Sequence, residues 1–151
     1  MSIDSRGILA EIESFALSSG LFDQVNRHEP KSAPARTGVT AGIWSSGMRA
    51  GTSGLDRVSV VLTFQLRIYT SMLQEPQDEI DPRLLDATDA MFAALAGNFT
   101  LSGKSRYVDI FGSDSDGLSA TPGYLSQDSK IFRVMDIAIP IIVNDAYAEV
   151  A

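Results

Sequence analysis

The chain has 151 residues, 44% hydrophobic and 21% charged, which is a length and composition suited to one globular domain with a sizeable core. Twelve basic residues against nineteen acidic ones give a net charge of −7, the wrong sign for a surface that grips nucleic acid. There is no cysteine, so neither disulfides nor thiolate chemistry enter, as suits a reducing compartment. The longest apolar run is far too short for a membrane span, and the acidic start MSIDSRGILAEIES lacks the pattern of a secretory signal.

The first predicted element is a helix over Asp4–Ser19. Ile8, Ile12 and Phe15, with Leu9 and Ala16, form one apolar stripe at helical spacing, Asp4 or Ser5 supplies an N-cap, and Gly20 supplies a C-cap. Leu21–Glu29 is a strand candidate closed by Pro30 and the loop KSAPARTG. Thr37–Trp44 reads as a second strand, with Val39, Ala41 and Ile43 on one face. Five of the twelve glycines then fall between Gly38 and Gly54, and the aperiodic stretch at 45–54 (SSGMRAGTSG) is expected to be a flexible, glycine-rich hairpin tip.

Val58–Tyr69 alternates Val58, Val60, Leu62, Phe64, Leu66 and Ile68 with more polar neighbours, the signature of a long strand with one face in a core. After an acidic connector, Asp81 reads as the N-cap and Pro82 as the first residue of a second helix. Leu84, Leu85, Thr88, Met91, Phe92 and Leu95 make its apolar stripe, and Gly97 ends it. Arg106–Phe111 is another strand, and Gly112–Gly117 a turn-rich loop.

Gly123–Asp145 is the most informative stretch. Gly123–Leu125 and Ile131–Val143 flank the loop Ser126–Ser129 as a β-hairpin, and every residue from Ile137 to Val143 is apolar. Such a strand needs cover on both faces. Pro140 inside it implies an edge or a bulge. Either the strand is an assembly surface, or it lies between the protein's own helices and sheet with Pro140 as a bulge. The order α-β-β-β-α-β-β-β points to an α+β fold, two helices packed on a mainly antiparallel sheet, in a single domain over residues 1–151.

Chemical motifs are near misses. Gly97–Ser105 has five residues between its glycines where a phosphate-binding loop has four, and it follows a helix instead of preceding one. Asp114-Ser115-Asp116-Gly117 matches a calcium loop only in part, since the first acidic ligand would fall on Gly112 and the closing glutamate on Gly123. His28 is the only histidine, in a polar run, and no nucleophile elbow accompanies it. Asp78, Glu79 and Asp81 sit at a helix start, where acids favour the dipole. The residues therefore suggest no enzyme, no cofactor and no metal.

Several phrases together resemble the tail terminator proteins of long-tailed bacteriophages. They are Gly20-Leu21-Phe22 with Val25 and His28-Glu29-Pro30-Lys31, Ser53-Gly54-Leu55, the Phe64–Tyr69 strand FQLRIY, and Ile80-Asp81-Pro82. Arg106-Tyr107-Val108-Asp109 with Gly112, Gly123-Tyr124-Leu125, Phe132-Arg133-Val134 and Ile141–Asp145 complete the set. The resemblance implies a non-enzymatic subunit of a hexameric ring that caps the tail tube, stops its polymerisation and joins the tail to the head–neck connector. Its partners would be itself, the tube protein and a neck protein, with DNA passing through unread. Its place would be the tail–neck junction of the virion, and the host cytoplasm during assembly. Six subunits at −7 would carry −42 and discourage phosphate adhesion in the channel. Exposure and pattern nominate Met48, Arg49, Ile139, Ile141 and Val143 as subunit or tube interface. A head-completion or tube protein with a similar subunit is the alternative, and a small-ligand-binding α+β domain a further one.

Overall fold

A computed structural model describes residues 3–29, 38–52, 56–73 and 76–150. The elements are α1 (Ser5–Ser19), β1 (Gln24–Asn26), β2 (Thr40–Thr52), β3 (Arg57–Ser71), α2 (Ile80–Gly97), β4 (Tyr107–Val108), β5 (Ser119–Gln127) and β6 (Lys130–Ala148). Two helices lie on one face of a six-stranded sheet in the order β1-β2-β3-β6-β4, with β5 also paired to β6. The fold is α+β. The sheet, expected to be mainly antiparallel, is mixed: β1 runs parallel to β2, and the other pairs are antiparallel.

Local chemistry accounts for the helix ends. The Asp4 carboxylate accepts the Gly7 N–H at 3.0 Å, and Gly20, at φ 72°, donates its N–H to the Leu17 carbonyl. The expected start of α2 is displaced. A 3₁₀ turn over Gln77–Glu79 runs directly into Ile80, so Asp81 is already helical and is not the cap. Pro82 is still tolerated, since the first four N–H groups of a helix have no intrahelical partner. Asp81 instead receives the Arg133 guanidinium at 3.0 Å.

One face of the sheet and the inner stripes of both helices form the core. Ile8, Ile12 and Ala16 of α1 and Leu84, Ala87, Met91 and Leu95 of α2 pack with Leu62, Phe64, Leu66, Ile68, Ile137, Ile139 and Ile141. Leu85, placed on the apolar stripe by spacing, is exposed. Of residues 45–54, expected to form a flexible loop tip, 53–54 lie outside the described residues, and 45–52 continue β2 and pair with Val58–Phe64 of β3. Their glycines and serines are carried by the ladder itself, with one bulge between Ser45 and Gly47 that Ser46 steadies by donating its hydroxyl to the Thr63 carbonyl.

β6 is a central strand, not an edge. β3 pairs with it from Phe132 to Ala148, and on its other side β5 covers Lys130–Ala138 and β4 covers Ile141 and Ile142. Pro140 fits because it stands where the neighbour changes from β5 to β4. Its carbonyl faces that side and accepts the Asp109 N–H at 2.9 Å, so its missing N–H falls in the gap between the two strands. The hairpin connection is also tighter than expected. β5 and β6 turn on Asp128 and Ser129 alone, both at positive φ (52° and 63°), as a two-residue type I′ turn requires.

Candidate assembly surface

The five nominated interface residues fall into different environments. Ile139 and Ile141 are fully buried under the helices, and Val143 is partly buried against the same core. Ile139 and Ile141 are thus core groups of the subunit, and reaching another chain through them would require opening that core. The apolar strand is covered from within: the helices take one face, while the loop after β4 lies along the other beside Pro140. Met48 is different. It lies on the helix-side face of β2 opposite Leu62, but beyond the reach of the helices, and is 59% exposed. Arg49 points to the other face, where its guanidinium donates to the Asp114 carbonyl.

That contact ties β2 to the loop Gly112–Gly117, whose organiser is Asp109. This nearly inaccessible carboxylate accepts the N–H groups of Gly112, Ser113 and Asp114 and the hydroxyl of Ser115, at 2.7–3.1 Å. Burial opposes its ionisation, but the Ser115 hydroxyl and the three backbone donors outweigh it, and its pKa lies below the ordinary value. Tyr107 donates its phenol to the Asp114 carboxylate, and that bond first, then burial, pushes its pKa up to about 12. With Arg49, Val61, Thr63, Ala138 and Pro140 the loop lines an open, shallow concavity. The calcium-like phrase therefore folds as an aspartate-held turn, and no cluster of three metal-ligating side chains occurs among the described residues.

The other sequence phrases find plain structural roles. Asn98–Lys104 closes α2 with successive turns, in which Ser102 donates its N–H to the Asn98 side chain. His28 is exposed beside the Glu29 carbonyl. Arg67 stacks over Trp44 at 5.3 Å, pairs with Asp136 through two nitrogens, and lies 3.8 Å from Glu29. No helix among the described residues is long and apolar enough to cross a membrane.

What pattern reading missed is the pair of sheet edges. β1 covers β2 only as far as Gly42, so Ile43–Thr52 has no strand on the side away from β3 among the described residues. The far side of β5 likewise has no strand beside it over Ser119–Ser126 among the described residues. Edges facing water are usually blunted with charge, lysine above all. β5 carries no charged residue, and Ile43–Thr52 carries only Arg49, which is already engaged. Counting charged residues strand by strand would have exposed this. Exposed apolar groups are spread over the surface as well, with Phe111 at 94% and Phe99, Leu73 and Ile131 each more than half exposed.

No protein-family model matches the chain, and no curated protein matches it.

Proposed function

We propose that this chain is a structural subunit of a closed ring, the terminator of a phage tail tube. The observation that carries the reading is the pair of long, nearly uncharged sheet edges on an α-β-β-β-α-β-β-β subunit, because such edges invite pairing with another chain. The phrases from Gly20 to Asp145 supply the kind of assembly, a hexamer seated on the last turn of the tube and facing a neck protein on its other side. Met48, exposed on the outer half of β2, would touch either a neighbouring subunit or the tube. Function on this reading is geometric. The ring satisfies the tube's last edge and offers no equivalent edge onward, and DNA passes a channel whose subunits each carry −7. No chemistry is asked of any side chain.

Native mass spectrometry with negative-stain imaging of the purified protein tests this. Discrete six-fold rings are expected. Long cylinders would favour a tube protein instead, and a stable monomer whose melting temperature shifts with a small ligand would overturn the assembly reading.

A further inference from the structure

Hydrogen-bond direction shows which backbone groups each free edge offers. Pro140 turns its carbonyl away from β3, so Thr63 opposite it turns toward β2, in agreement with the Ser46 hydroxyl bond to the Thr63 carbonyl. Alternation along the ladders then turns Arg49 and Gly47 inward and leaves Ile43, Met48 and Ala50 facing outward from β2. On β5, the two-residue turn makes Gln127 and Lys130 a bonded pair, so Ala120, Pro122, Tyr124 and Ser126 face outward.

We propose that the open half of β2 accepts the free edge of β5 from a second copy of this chain, head to tail. The inference rests on the ring reading and names the surface that closes it. Four observations fit the two edges to each other. First, their lengths match: Ser119–Ser126 of β5 has eight residues, and Ile43–Gly51 offers eight pairing positions once the bulge residue is set aside. Second, both lack the charges that guard a solvent-facing edge. Third, β2 and β5 run in opposite directions within the subunit, so the junction between identically oriented neighbours is antiparallel, the stronger pairing.

The fourth is the offset between the edges. β1 blocks β2 up to Gly42, so the incoming strand starts with Ser126 opposite Ile43, which sets Gly123 opposite Gly47. Within one subunit Gly123 is level with Tyr69 of β3, whereas Gly47 is level with Thr63. Each junction therefore steps six residues, about 20 Å at ~3.3 Å per residue. The four strands β2, β3, β6 and β5 are about 19 Å wide at ~4.8 Å spacing. The step corresponds to a strand tilt of about 45°, at the upper end of the range that lets a sheet close on itself. Pro122 leaves one bond of the junction unmade and, in the free subunit, limits unwanted pairing.

Because the chain has no cysteine, single-cysteine variants report the contact directly. Gly47→Cys meets no atom within 4 Å, and Gly123→Cys meets only a Val134 methyl at 3.6 Å, so both are expected to fold. Gly47→Cys carrying a mass tag is mixed with Gly123→Cys and treated with a short bis-maleimide, which bridges small differences of register. The mixed dimer is expected to exceed either homodimer at least several-fold. Ala50→Pro, which removes an outward N–H and no bond to β3, is expected to keep the circular dichroism and melting temperature and to lose assembly. Six-fold rings without a mixed cross-link, or a dominant Gly47→Cys homodimer, would overturn the edge assignment while leaving rings possible. Mixed cross-links in open filaments would support the edges and overturn the ring. A chain that stays monomeric and uncross-linked at all concentrations would overturn both.

Discussion

Asp109 holds the loop that follows β4. Replacing it with alanine strands three backbone N–H groups and the Ser115 hydroxyl, and a loss of about 1–3 kcal/mol is expected in urea unfolding at neutral pH. Its folded pKa lies below the ordinary 3.8, so its contribution is fully present above that value and fades as pH falls through the folded pKa. The wild-type chain should therefore lose more stability than Asp109→Asn on acidification below about pH 4, measured by parallel urea titrations. Ile139 and Met48 make a second contrast at this scale. Ile139→Ala should cost about 2–5 kcal/mol, because a filled core position becomes a cavity. Met48→Ala should stay within about 0.5 kcal/mol of wild type in thermal unfolding of the monomer, and any effect it has should appear in assembly.

Among the elements, β6 decides the architecture. It pairs with β3, β4 and β5, so removing the chain from Pro140 onward deprives β3 of its β6 partner over Arg57–Thr63 and β4 of the only strand paired to it among the described residues. Such a truncated chain should be unfolded by circular dichroism, and not a folded subunit that merely fails to assemble. A proline inside an apolar strand marks an edge or a bulge by a sound rule, the lost ladder donor. The rule is met here in a way that only the neighbours reveal, because the donor is missing where β5 has ended and β4 has not yet begun. β2 teaches the complementary lesson. Its outer half, rich in glycine and serine, has little intrinsic preference for a strand, and becomes one because β3 beside it is so strongly patterned.

For the molecule as a whole, charge and edges act in opposite senses. Subunits at −7 repel one another, while the near-neutral edges of β2 and β5 allow close approach. Raising the salt concentration from about 20 to about 500 mM shortens the Debye length from roughly 20 Å to roughly 4 Å. Native mass or sedimentation should then show a shift toward the assembled form. A shift toward monomers would mean that ion pairs, and not strand edges, hold the subunits together.

Much of this protein is fixed by short-range pattern. Period-two alternation at Val58–Tyr69 and the helical stripes of Ile8–Ala16 and Leu84–Leu95 define the core strand and both helices. They do so because burying an apolar face leaves few ways to arrange a chain. The sequence alone also argued against a basic nucleic-acid grip, and without cysteine it leaves this chain no thiol chemistry. Tertiary structure decided what depends on neighbours distant in sequence: that β1 runs parallel to β2, that Ile139 and Ile141 face the subunit's own helices, and that Asp114–Gly117 is held by Asp109. It also decided which edges stay open. An edge is defined by the strand that is not beside it, and no run of residues, however regular, records that.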